Sequence, residues 1–384
     1  MTWRPVAITI SDEADKRTGP ESFRPRRDPV SIVRTVLRAQ WISTPVVDSL
    51  AGRVVAGSLH SVYRRAVNLV LDGHLITLVR SEAGKPPNGL VVQSERDFLA
   101  LGLEPGMAVL GDEAAMWVPA VDLLVDIGAA TAWSPRLPAF PMASGDRVSA
   151  NLGLAAGLSA DVAPEAGFGP LLRLLPSRLG RCQEVFDGGD TPTIARSDVA
   201  PSRHFQGLSE ALQESHLPNP SPLCMRAWPA ILAVLKALET AGPRAAAAEA
   251  RGLIGLGIGL TPSGDDFLVG LSAALAAVGH PWAGSFAADY AEAARGRTTP
   301  ISEALMDCAA RGWYGGQLHD LLGSILTGCE RSVQDQLMAM MGWGATSGVD
   351  GLLGVLLGVA LAIETMGWTV EDGDRGRREQ ASQE

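Results

Sequence analysis

From about residue 52 to residue 126, apolar positions alternate with polar ones or gather in short runs, and the breaks between them carry turn residues. "AVNLVL" and "HLITLV" are strand-like runs joined by Asp72-Gly73, a pair suited to the backbone of a two-residue type I′ hairpin. "GLVVQ", "MAVLG" and "VDLLVDIG" predict further short strands, and "SERDFLALG" one capped helix. After about residue 145 the pattern changes. Segments such as "MRAWPAILAVLKALETAG" and "LSAALAAVG" are long, rich in Ala and Leu and poor in β-branched residues, which favours helices. The pattern predicts an α+β fold, with a β-rich domain over residues 29–140 and a larger, mainly α-helical domain over 141–370. Residues 1–28 predict a flexible polar lead-in and residues 371–384 a solvated tail. Residues 186–222, rich in Pro and Ser, predict a loop or flap containing one short helix.

One stretch breaks the helical pattern. "GLIGLGIGLTPSGDDFLVG", residues 252–270, carries six glycines and then sets Thr261, Ser263, Asp265 and Asp266 close together. An unpaired buried carboxylate is costly, so these groups must be solvated, used as caps or bound to something. The string S-G-x-D-x-L-x-G occurs at Ser263–Gly270 and again at Ser347–Gly354, each copy preceded by a Thr (Thr261, Thr346) and followed by an apolar segment. Both copies therefore predict Gly-rich starts of buried helices. Ser or Thr with Asp three residues later fits a capping-box-like arrangement. In the first copy Thr261 serves equally well as the cap, with Pro262 at the first helical position. Asp265 and Asp266 point about 100° apart on a helix, so at most one caps. A third start, "RGRTTPISEAL", repeats the Thr-Pro step at Thr299-Pro300.

Composition narrows the partners. The chain of 384 residues is 46% hydrophobic with a net charge of −10, which supports a core and argues against nucleic acid. Cys182, Cys224, Cys308 and Cys329 form no CxxC pair, and the histidines show no metal-ligand spacing, so no metal and no cofactor are expected. His74, His280 and His319 are isolated and expected in turns or at the surface, and Cys308 in the core. The N-terminus lacks the apolar segment of a signal peptide. The longest apolar run, Gly351 to Ile363, has 13 residues, short of the ~20 that span a bilayer, so no membrane is expected and the location is read as cytoplasmic.

"GLGIGLTPSGDDFLVG", "TTPISEAL" and "GATSGVDGLLG", in that order, with the upstream "AVNLVL" and "PPNGLVV", resemble the AllH-like family over roughly residues 50–365. The resemblance implies a subunit of an oxamate carbamoyltransferase of allantoin catabolism, which interconverts oxalurate plus phosphate with oxamate plus carbamoyl phosphate. It also implies partners: the other subunits and a small anionic substrate. The chain departs from the family pattern at Ile258, where proline is usual, and at Ala345, where histidine is usual.

Helix N-termini offer free N–H groups and the positive end of the helix dipole, a setting for phosphate or carboxylate. The expected anion-binding residues are Thr261, Ser263, Gly264, Thr298, Thr299, Ser302, Thr346, Ser347 and Gly348, with Asn68 and Arg297 as further polar candidates. Asp265, Asp266 and Asp350 are the expected catalytic carboxylates, with Asp266 and Asp350 ordering the helix starts. Two other readings stay open: a metal-dependent amidohydrolase holding its ion on these three aspartates, and a non-catalytic partner subunit whose Gly-rich helices are packing surfaces.

Overall fold

A computed structural model describes residues 35–140, 144–179, 207–215 and 220–366. The expected lead-in and tail, and most of the expected flap, lie outside the described residues. The short helix expected within the flap region is present at Leu208–Gln213.

The first region is a β-barrel. Its strands are β1 (Thr35–Ser43), β2 (Val55–Val62), β3 (Ala66–Leu71), β4 (His74–Arg80), β5 (Gly89–Gln93), β6 (Ala108–Gly111), β7 (Ala115–Val118), β8 (Leu123–Asp126) and β9 (Thr131–Trp133). They form one sheet in the order β5-β4-β3-β2-β6-β7-β8-β1-β9, and β1 also pairs with β5, which closes it. Alternation along the strands turns Leu37, Val67, Leu69, Leu71, Ile76, Leu90, Val92 and Met116 into a common core. The β3–β4 hairpin turns on Asp72 and Gly73, with φ of 49° and 78°, the left-handed pair a type I′ turn requires. "SERDFLALG" is shorter than expected: Asp97 accepts from Ala100 N at 2.9 Å, but the helix is one 3₁₀ turn, stopped by the left-handed Gly102.

A short helix α1 (Thr44–Leu50) follows β1. The second region comprises α2 (Gly145–Asp161), α3 (Gly169–Leu172), α4 (Pro176–Leu179), α5 (Leu208–Gln213), α6 (Pro222–Thr240), α7 (Pro243–Ala250), α8 (Ser263–Ala277), α9 (Ala283–Ala294), α10 (Pro300–Ala310), α11 (Gly316–Thr327), α12 (Glu330–Met341) and α13 (Ser347–Thr365). Their apolar faces meet in a core separate from that of the barrel. At its centre α8 and α13 run parallel. A Cβ at Gly270 would lie 2.1 Å from the Gly351 carbonyl oxygen, and one at Gly354 would lie 2.2 Å from that of Phe267. The seam therefore needs residues without side chains. Helix α13 has the length and mean hydropathy (1.7) of a membrane span, but 83% of that window is buried within the fold, as suits a core helix.

The regions are joined by backbone and side-chain bonds. The Ala83 carbonyl accepts from Gln317 Nε2 (2.8 Å) and Trp343 Nε1 (3.0 Å), and the Lys85 carbonyl accepts from Gly316 N (2.9 Å). Pro135 O accepts from Tyr314 N at 2.8 Å.

Candidate functional site at the paired helix starts

The two copies of the repeated string begin the two central helices and meet. Helix α8 starts at Ser263 and α13 at Ser347, and Thr261 Oγ1 lies 2.8 Å from Ser347 Oγ. The capping expectation fails at both starts. Pro262 and Thr346 occupy the cap positions, and neither start has a side-chain cap hydrogen bond. Ser263 and Ser347 are thus the first helical residues, which moves Asp266 and Asp350 to the fourth, one place beyond the reach of a capping box. Only the third start behaves as expected: Thr299 accepts from Ser302 N at 3.1 Å, with Pro300 next.

The two aspartates do not cap but cross: Asp266 faces the hydroxyl of Ser347 in the other copy as well as that of Thr261, and Asp350 faces Ser263 as well as Thr346. These hydroxyls favour the charged carboxylates. Asp350 Oδ1 also accepts from Phe168 N at 2.6 Å. Asp350 is fully buried and Asp266 is 7% exposed, yet Oδ2 of each has no hydrogen-bond partner among the described residues. Burial pushes the Asp266 carboxyl well above the usual carboxylate range, opposed by the two hydroxyls and reinforced by the charges of Asp350 and Asp265. Burial raises Asp350 too, against the Phe168 amide and its two hydroxyls.

Asp265 is of another kind. Its Oδ1 accepts from Gly255 N at 2.8 Å, and its Oδ2 from Ser302 Oγ at 2.7 Å and from Thr298 Oγ1. Both oxygens are taken up in tying the glycine-rich loop and α10 to the start of α8. Burial still raises its pKa, with these three donors opposing.

Several expected anion contacts are already committed within the protein. The N–H of Gly264 donates to Leu256 O (2.9 Å) and that of Gly348 to Trp343 O (3.0 Å), so neither is open to an anion. A Cβ at Gly264 would lie 2.0 Å from Leu253 O and one at Gly348 would lie 1.8 Å from Met340 O; these glycines admit the preceding turn of the chain. The hydroxyls of Thr298 and Ser302 donate to Asp265, and that of Thr299 to Leu260 O. Asn68 belongs to a barrel ladder, donating to Ser61 Oγ (3.0 Å) and accepting from Thr77 Oγ1 (2.9 Å). Arg297 is exposed and makes no ion pair among the described residues. What remains at the mouth of the junction is Thr261, Thr346 and Ser347, all half-buried, above Asp266.

The profile of oxamate carbamoyltransferase subunit AllH matches residues 253–359, and that of the AllH family N-terminal domain matches residues 37–132. The chain belongs to the AllH family. No solved structure matches it. The first AllH match runs from the turn before the glycine-rich loop into α13, so it contains both helix starts and α10. The second covers nearly all of the barrel. Phe168 and Gly167, which close over Asp350, fall outside both AllH matches; a Cβ at Gly167 would lie 2.5 Å from Asp350 Oδ1. Sequence reasoning missed these two, and Trp343, because none stands in the repeated string.

Among the described residues no three His, Cys, Asp or Glu side chains are grouped to hold a metal ion, so the three aspartates do not form one ligand set. Two isolated residues also differ from expectation: His280 is buried, and His319 is half-buried against Pro135 O at 3.1 Å. Cys308 is a core residue whose thiol burial pushes up to about 12.

Proposed function

We propose that the protein is one subunit of a carbamoyltransferase that exchanges oxamate and carbamoyl phosphate with oxalurate and phosphate, and that the α8–α13 junction is its share of the catalytic centre. In the synthetic direction the oxamate amide nitrogen attacks the carbamoyl carbon. The N–C bond forms, the C–O bond to phosphate breaks, and the nitrogen loses a proton. That chemistry asks for a proton carrier, anchoring of anions and orientation, with little covalent help.

The observation that carries the reading is that Asp266 and Asp350 are buried where the two helix starts meet, each with one buried oxygen, Oδ2, that has no hydrogen-bond partner among the described residues. A buried carboxyl whose pKa is raised is suited to take up and return a proton during the reaction. Asp266, beneath the half-buried hydroxyls, is the proton carrier; Asp350 and Asp265 position it. Thr261, Thr346 and Ser347 orient the anion. Beside this mouth the glycine-rich loop carries Ile258, 92% exposed, and Leu260, also exposed, an apolar tip suited to burial against another subunit.

The test is phosphate-dependent cleavage of oxalurate by the protein reconstituted with its companion subunits. Asp266→Asn should reduce the rate by about 10² to 10⁴, the usual contribution of a positioned proton carrier. An unchanged rate would make this chain a supporting subunit, and a rate abolished by chelator would restore the amidohydrolase.

A further inference from the structure

Between β4 and β5 the segment 81–88, "SEAGKPPN", leaves the barrel and is held by the helical region through Ala83 O and Lys85 O. Where it meets β1, β5 and the start of α11 there is a cavity of about 180 Å³, its wall including Gln40, Trp41, Ser81, Lys85, Gln317 and Asp320. This is room for a small molecule of a few non-hydrogen atoms. Lys85 Nζ stands 3.5 Å from the centre of the Trp41 ring, and no carboxylate pairs with it among the described residues. Gln40 spends its Oε1 on the Ser81 hydroxyl (2.8 Å), leaving its amide N–H groups unspent; Gln317 spends its Nε2 on Ala83 O, leaving its oxygen. Asp320 accepts no hydrogen bond from the described residues, and nearby the buried Trp133 Nε1 has no partner, its ring 6.0 Å from the Lys85 ammonium.

The wall thus sets an ammonium and amide donors against an amide oxygen and a carboxylate, beside a flat indole. We propose that this cavity binds a small planar acid that carries an amide, an oxamate-type molecule. Its carboxylate meets Lys85 and Gln40, and its N–H groups meet Asp320 and Gln317. Asp320 disfavours phosphate and dicarboxylates, because their second negative charge would lie beside its carboxylate. The ligand class rests on the proposed activity, but the site is distinct from the helix junction. The Trp343 turn touches both, bonding Ala83 through its indole and Gly348 through its carbonyl.

Calorimetric titration of the full-length protein with oxamate and with pyruvate tests this, because pyruvate replaces the NH2 group of the amide by a methyl group at nearly constant shape. Oxamate should bind at least tenfold more tightly than pyruvate. Lys85→Met should weaken both at least tenfold, Gln40→Leu should weaken both, and Asp320→Asn should remove the preference for oxamate. Oxamate affinity retained in both Lys85→Met and Gln40→Leu overturns the assignment and leaves the carbamoyltransferase reading standing. Lys85-dependent oxamate binding in a protein whose complex transfers no carbamoyl group supports the cavity and removes the activity.

Discussion

Asn68 in the barrel and the two aspartates Asp266 and Asp350 in the helical core are all buried polar side chains, and they are treated in opposite ways. In the barrel, Asn68 lies between Ser61 and Thr77 on adjoining strands, and both ends of its amide are bonded. In the helical core, Asp266 and Asp350 are equally enclosed, yet each keeps an oxygen without a partner. A satisfied buried amide adds to stability, whereas an unsatisfied carboxylate subtracts from it. The ladder has the economy of a structural element; the helix junction bears a cost that folding alone does not explain.

The comparison breaks first at Asp266. Asp266→Asn should lower transferase activity by about 10² to 10⁴ while making the free protein more stable at neutral pH. The sign follows from the raised carboxyl pKa. Between the ordinary carboxylate range and the folded-state value the native protein binds more protons than the unfolded chain, so stability falls as pH rises through that window. Melting curves should show the variant above the wild type at pH 7, with the gap closing toward pH 4. A variant less stable than the wild type at pH 7 would contradict the unsatisfied carboxylate.

Gly354→Ala should come next, at about 3 kcal/mol of lost stability, because its methyl group meets the Phe267 carbonyl and the Leu271 amide across the seam. Chemical denaturation measures it, and a near-neutral result would mean that α8 and α13 can part without cost. Asn68→Ala should cost about 2 kcal/mol through the stranded hydroxyls of Ser61 and Thr77, and should leave transferase activity as it was. A loss of activity without a loss of stability would move Asn68 from the ladder into the site. The smallest effect is expected at the conventional cap, where Thr299→Ala should cost about 1 kcal/mol.

Local signals in the sequence carried the local structure. Alternation and Asp72-Gly73 were enough for the β3–β4 hairpin, and composition and length were enough for α6 and α8. The repeated string led to two helix starts in one place. Closure of the barrel was not legible, because β1 pairs with β5 about fifty residues away, and no turn chemistry announces a distant pairing. The crossing of Asp266 and Asp350 was hidden for a different reason. Ser-x-x-Asp reads as a cap when each copy is taken by itself, and only the parallel packing of α8 on α13 exchanges the partners. Likewise Gly264 and Gly348 suit close approach by any backbone or ligand; the occupant, a carbonyl from the preceding turn, is a fact of tertiary structure.

The Ala83 carbonyl gives the chain a timetable. Its two side-chain donors, Gln317 and Trp343, stand 234 and 260 residues further along. As the chain leaves the ribosome from its N-terminus, the barrel strands are all made long before either donor exists. The barrel can close early, but the segment 81–88 must stay unanchored until most of the helical region has been synthesised. Nascent chains halted before residue 317 would therefore hold the Ala83 carbonyl without either side-chain donor, and the wall of the cavity would not yet be assembled.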